Sequence, residues 1–163
     1  IEPDIIALAK GLGGGFPVGA VMAKAKVGDA MIPGTHGSTF GGNPLAMRSA
    51  NAVLDLLLED DFLKNLREKI IYLNNKMDAL ISNDKREYSV ILSKKGSGML
   101  RGFQLKENVA AGDFGNISRE KGLLLVGAAE NTIRLLPPLN TSKEEIDQAF
   151  EILSEVVKEI KKN

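Results

Sequence analysis

No cysteine occurs among the 163 residues, which removes disulfides, thiolate nucleophiles and cysteine-based zinc sites together and fits a reducing compartment. A single histidine, His36, is present; one imidazole cannot build a histidine-rich metal centre, and it has no cysteine to activate. Excess charge of either sign is missing too. Twenty-one basic residues balance twenty-one acidic ones, so nothing draws in a nucleic acid or an anionic membrane surface over long range. No apolar run reaches the roughly 18 residues that cross a bilayer, and the first residues form neither a signal sequence nor a transit peptide. The expectation is a cytoplasmic chain without nucleic acid, membrane or metal among its partners. Internal repeats, low-complexity tracts and coiled-coil seams are absent as well.

What is there is ample core material, 44 % hydrophobic residues, in a length that suits one ordinary domain of roughly 100 to 200 residues. The stretch that carries chemistry is Asp4-Ile5-Ile6-Ala7-Leu8-Ala9-Lys10-Gly11-Leu12-Gly13-Gly14-Gly15-Phe16-Pro17, where an apolar run ends in an amine and four of the next five residues are glycine. A buried strand over Ile5 to Ala9 therefore breaks into a bare-backbone turn at Lys10. The residues alone leave two fates open: Lys10 caps a strand end with its ammonium in water, or it projects into a pocket and attacks a carbonyl as a free amine. The glycines do not make a dinucleotide or P-loop signature, because Phe16 stands at the third-glycine position and no G-K-[ST] follows.

A second strand is expected over Val18 to Ala23, a short helix over Lys24 to Met31 ended by Pro33-Gly34, and then a hydroxyl-bearing glycine loop, Thr35-His36-Gly37-Ser38-Thr39-Phe40-Gly41-Gly42. Asn43 reads as the N-cap and Pro44 as the first residue of a helix whose apolar stripe holds Leu45, Ala46, Ala50, Val53, Leu54, Leu57 and Leu58. Such a helix start offers free N–H groups and a positive dipole end to an anion, with the Ser38 and Thr39 hydroxyls as further donors; a plain capped loop is the alternative. Glu59-Asp60-Asp61 interrupts the stripe and reads as a solvated junction and domain boundary, giving domains 1–59 and 60–163.

The remainder reads as a small α/β layer domain. Phe62 to Ile81 is helical; 82–97 is polar and irregular at its ends, with a short strand over Tyr88 to Leu92. Met99 to Leu105 alternates like a strand with one wet face. Val109 to Lys121 is a helix stopped by Gly122, Leu123 to Val126 a buried strand, and Asn131 to Leu139 a strand ended by Pro137-Pro138. Thr141 or Ser142 caps a last helix with the capping-box spacing to Glu145 and an inner stripe of Ile146, Phe150, Leu153, Val157 and Ile160. Arg134, taken by itself, is a strand residue whose ordinary fate is a surface ion pair.

The Lys10 stretch, the Ser38-Thr39 loop and the Arg134 strand, in that order, resemble the class III pyridoxal-phosphate aminotransferases over essentially the whole chain, and within them are most similar to the branch acting on N2-acetylornithine. Phe40 after Thr39 and the wording Glu130-Asn131-Thr132-Ile133-Arg134-Leu135-Leu136-Pro137-Pro138-Leu139 carry that finer likeness. Branches acting on ornithine, succinylornithine or 4-aminobutyrate share all three motifs. The resemblance implies an α/β fold, the C-terminal part of a fold-type I PLP-dependent transferase: a remnant of the large-domain sheet followed by the small domain. It implies pyridoxal 5′-phosphate as cofactor, held by Lys10 as a Schiff base, with Lys10 also the general base. It further implies that Thr39 binds the cofactor phosphate of the opposite subunit in a homodimer with shared active sites, that Ser38 lies beside the substrate, and that Arg134 holds the substrate α-carboxylate. The partners implied are a small amino donor and 2-oxoglutarate. The family's aspartate for the ring nitrogen, its phosphate-binding glycine turn and its ring-stacking aromatic all precede the matching segment, so the chain is expected to be the second part of a longer protein and to be inactive alone. A non-catalytic structural or dimerisation module is the reading of another class.

Overall fold

A computed structural model describes residues 1–84 and 89–162, which divide into two compact units, Ile1–Leu63 and Lys64–Asn163. In the first, β1 (Ile5–Leu8) pairs antiparallel with β2 (Ala20–Ala23), Ile5 opposite Ala23 and Leu8 opposite Ala20. Both strands are exposed along their whole length, Val21 at 68 % and Met22 at 51 %, which corrects the expectation of buried strands. Two strands have two faces and nothing to cover either, so β-branched and apolar side chains that promote pairing stay in water. A 3₁₀ turn over Lys10–Gly13 follows β1, a one-turn helix α1 (Ala25–Gly28) follows β2, and α2 (Pro44–Leu57) closes the unit.

The second unit holds an antiparallel sheet in the order β3-β4-β6-β5, formed by β3 (Ile91–Ser97), β4 (Leu100–Leu105), β5 (Val126–Ala128) and β6 (Thr132–Leu135). Helices α3 (Phe62–Asp84), α4 (Ala111–Glu120) and α5 (Lys143–Ile160) supply the rest of its core. Leu73 and Met77 of α3, Phe103 and Leu105 of β4, Ile133 of β6, Phe114 of α4 and Phe150, Leu153 and Val156 of α5 form one buried cluster, with Phe103 and Phe150 edge to face at 6.4 Å. Ser142 and Glu145 complete the capping box in both directions, at 2.8 and 3.1 Å.

Two sequence readings change here, the extent of β3 and the state of Leu123 to Leu125. The short strand expected over Tyr88 to Leu92 is present from Ile91 as β3 and runs on to Ser97, because pairing with β4 from Ile91 opposite Leu105 to Ser97 opposite Leu100 satisfies the backbone of these polar residues; Tyr88 lies outside the described residues. β4 has one wetter face, as expected: Leu100 is exposed and Gln104 half-buried there, while Arg101, Phe103 and Leu105 on the other face are buried. Leu123 to Leu125 is not strand. The Leu123 amide instead reaches back to the Ser118 carbonyl, 2.9 Å away, and the Gly122 amide to Arg119 at 3.0 Å. With Gly122 at φ 89°, these bonds finish α4 and use the backbone that a ladder would need. The strand β5 starts later and is exposed, and Leu124 is 79 % exposed.

Candidate active site

Lys10 follows an extended Ala9 and stands at φ 55°, in the left-handed region that a lysine enters at a cost of about 1–3 kcal/mol. The turn is closed by amide donations from Leu12 to Ala9 (3.2 Å), Gly14 to Gly11 (3.1 Å) and Phe16 to Gly13 (3.0 Å). What holds it in place is α2. The Ser49 hydroxyl donates to the Gly13 carbonyl at 2.7 Å, from 36 residues away. A Cβ on Gly14, itself at φ 57°, would come within 3.0 Å of Val53 Cγ2, and one on Gly13 within 2.7 Å of Val18 Cγ1. The glycines are thus demanded by close packing as well as by backbone angle. Lys10 itself is exposed, and among the described residues its amine has no hydrogen bond and no ion pair.

In the loop before α2, the Gly41 amide donates to the Ser38 carbonyl at 3.1 Å, and Asn43 grips Phe40 through its amide (3.3 Å) and its Nδ2 (2.9 Å), both donating to the Phe40 carbonyl. Asn43 Oδ1 accepts from the Ala46 amide at 2.9 Å, as expected of the N-cap. That cap changes the anion-site expectation. Pro44 has no N–H, the Ala46 amide is taken by Asn43, and the Met47 amide donates to the Asn43 carbonyl at 3.1 Å, so little of the helix start is left for an anion. The Ser38 and Thr39 hydroxyls remain: both residues are exposed and neither hydroxyl has a partner among the described residues. His36 is exposed in the same loop.

Arg134 lies in the second unit, on β6, between Gly102 of β4 and Val126 of β5. Its strand neighbours Ile133 and Leu135 are buried while Arg134 is exposed, so alternation sends the guanidinium to the other side of the sheet. The ordinary ion pair is not made: among the described residues no carboxylate pairs with it. Gly102 opposite is required by space, because a Cβ there would meet Thr132 Cγ2 at 2.7 Å, and the guanidinium consequently has no facing side chain on β4. An apolar cavity of about 460 Å³, lined by Leu123, Leu136, Pro137 and Phe150 among others, contains none of the four candidate residues.

Among the described residues the set therefore comprises one unpaired amine, two unpaired hydroxyls and one unpaired guanidinium. An aldehyde-bearing phosphate fits the first three chemically, since an amine with no internal partner can take a carbonyl and hydroxyls can donate to a phosphate; a carboxylate fits the last. The sequence reading missed Ser49. It stands at helical spacing with Ala46, Ala50 and Val53, the positions read as apolar stripe, and a small hydroxyl inside a small-residue face was the available signal. It also missed Asn131, at φ 50° beside Glu130 at φ 56°. Its side chain accepts from the Ala111 amide (3.0 Å) and donates to the Lys106 (3.0 Å) and Val109 (2.8 Å) carbonyls, anchoring the turn that leads into Arg134.

Residues 1–157 match the family model described as aminotransferase class III. The chain is 43 % identical over 149 residues to acetylornithine aminotransferase 1 of Bradyrhizobium diazoefficiens, covering 91 % of this chain and 36 % of that protein. Acetylornithine aminotransferase of Elizabethkingia anophelis superposes with a TM-score of 0.84 at 32 % identity, over 98 % of this chain and 40 % of its own. An ornithine aminotransferase of Toxoplasma gondii, described with partial occupancy of PLP at its active site, superposes at 0.84 with 30 % identity, over 100 % of this chain and 39 % of its own. The chain thus spans about two fifths of the length of the relatives it matches.

Proposed function

The chain belongs to the class III aminotransferase family, and from that premise we propose that the protein of which it forms part moves an amino group between N2-acetylornithine and 2-oxoglutarate, in arginine biosynthesis in the cytoplasm. Class III aminotransferases are PLP-dependent; bound PLP supplies the aldehyde that takes up the amino group and an electron sink for the substrate α-carbon. Lys10 Nζ would hold the cofactor, and as a free amine it would carry the proton from the substrate α-carbon. The Thr39 hydroxyl donates to the cofactor phosphate of a second copy, Ser38 lies beside the substrate, and Arg134 fixes both oxygens of the substrate α-carboxylate with its parallel donors. A homodimer with shared sites follows from that assignment of Thr39. Residues 1–59 act as part of the cofactor-binding domain and 60–163 as the smaller domain.

The observation that carries this reading is the Lys10 amine, without a partner among the described residues, at the end of a strand and on a left-handed backbone angle beside glycines that packing demands. Borohydride reduction of the full-length protein with PLP, followed by peptide mass mapping, is expected to label Lys10 and to label nothing in Lys10→Ala. Label on another lysine, or on none, defeats the assignment. The branch is tested by rates: a preference of about tenfold or more in kcat/KM for acetylated over free ornithine is expected, and parity defeats it. The 163-residue chain alone is expected to leave PLP free, with no Lys10-dependent absorbance band. Such a band would overturn this last expectation and the inert-module alternative together.

A further inference from the structure

Helix α2 starts from the Ser38-Thr39 loop and, within its second turn, reaches the turn that carries Lys10. Its Ala46 and Ala50 are buried and its Val53 is half-buried; a helix face this small lets the glycine backbone approach closely. One polar bond crosses the seam, from Ser49 Oγ to the Gly13 carbonyl at 2.7 Å. The Gly13 carbonyl also accepts from the Phe16 amide at 3.0 Å, so both of its lone pairs are used and its plane is set from two directions. Gly13 is the last residue of the turn whose first residue is Lys10. Without the Ser49 donor, the carbonyl is free to tilt and the left-handed conformation at Lys10 loses one of the contacts that hold it there.

We infer that Ser49 is a positioning residue: by holding the Gly13 carbonyl, it fixes the Lys10 turn to the same helix that begins at the Ser38-Thr39 loop, so that amine and hydroxyls keep a set spacing. This rests on the reading of Lys10 as the cofactor-holding amine. A fixed spacing matters because a bound group gripped at two points tolerates little error between them, and displacements near 1 Å cost up to about a hundredfold in rate.

The test uses the full-length protein with Ser49→Ala and the matched pair Ser49→Thr and Ser49→Val, which differ in the hydroxyl at nearly constant volume. In cofactor-free protein, the Ala and Val variants are expected to exchange the Gly14 and Phe16 amides about tenfold faster while residues 51–57 of α2 stay within about twofold. Reductive labelling by PLP and borohydride still goes to Lys10 but about tenfold more slowly, and kcat falls by a similar factor with KM for both substrates within about twofold. Thr restores each readout relative to Val. Equal exchange and labelling in parent and Ala variant, a rise in exchange along the whole of α2, or no difference between Thr and Val would each overturn the inference. If Ser49→Ala does not fold, the Thr and Val pair decides alone. A parent protein that labels elsewhere than at Lys10 removes the functional premise, whereas normal labelling with unchanged exchange removes only the role of Ser49.

Discussion

Arg134 spends its charge on no carboxylate among the described residues, so a substitution there should act on substrate and hardly on folding. Arg134→Lys in the full-length protein is expected to raise KM for both the amino donor and 2-oxoglutarate by about tenfold or more, because an ammonium cannot give two parallel donors to one carboxylate; thermal stability should stay within about 0.5 kcal/mol. Unchanged KM would remove the guanidinium from the substrate site. Asp84 is the opposite case, a carboxylate 1 % exposed. Its Oδ2 accepts from the Val90 (2.9 Å) and Ile91 (2.7 Å) amides and the Ser89 hydroxyl (3.0 Å), while Oδ1 lies 2.7 Å from Lys161 Nζ. Burial pushes its carboxyl up, but the Lys161 ammonium, the two amides and the hydroxyl together hold it below the ordinary carboxylate value. A depressed folded value means stability that is present above the unfolded pKa, near 4, and is lost as pH falls through the folded one. Asp84→Asn should therefore cost about 2–3 kcal/mol at pH 7 in urea unfolding of the 163-residue chain, and the gap to the parent should close below about pH 4. A gap independent of pH would refute this account.

At the scale of elements, the instructive piece is the three-residue connection between β5 and β6. Ala128 pairs with Thr132, and the intervening Glu130 and Asn131 both take left-handed backbone angles. A turn of this kind ordinarily needs glycine; Asn131 tolerates it and adds three side-chain bonds that cap α4 and hold the Lys106 to Val109 segment. Helix α4 depends on it, since its own N-cap, Ala110, has no capping side chain. Asn131→Gly keeps the backbone freedom and loses the three bonds, so a cost of about 2 kcal/mol is expected, with faster amide exchange in the first turn of α4. A cost under about 0.5 kcal/mol would show that the backbone angle alone is what the position supplies. Helix ends legible in the sequence were the ones with local caps: Asn43-Pro44, Ser142 with Glu145, and Gly122. The N-terminal cap of α4 was not, because its acceptor, Asn131 Oδ1, comes from a residue 20 positions away.

At the scale of the whole chain, the two units differ in how well they cover themselves. The second has a continuous core from Leu73 to Val157, whereas β1 and β2 leave Ile5, Ile6, Leu8, Val21 and Met22 in water. In the 163-residue chain the amides of β1 and β2 are therefore expected to exchange at least about tenfold faster than those of β4 and β6. Faster exchange in the second unit than in the first would contradict that. The ribbon has apolar faces and open edges available for pairing or cover.

The sequence by itself determined what local chemistry can specify. An apolar run that stops at Lys10 before a glycine turn, the cap residues and the helical stripes of α2, α3 and α5 are written in neighbouring residues, and the order of Lys10, Ser38-Thr39 and Arg134 was enough to place the family. Only the tertiary structure decided the matters that depend on distant residues: that Leu123 to Leu125 ends a helix and does not start a strand, that Arg134 and Lys10 find no partner among the described residues, and that Ser49 and Asn131 hold the turns that carry those groups. The reason is physical: periodicity and capping act over about four residues, whereas the partner of a hydrogen bond across 36 positions, or the helix that requires a glycine, is not written in neighbouring residues.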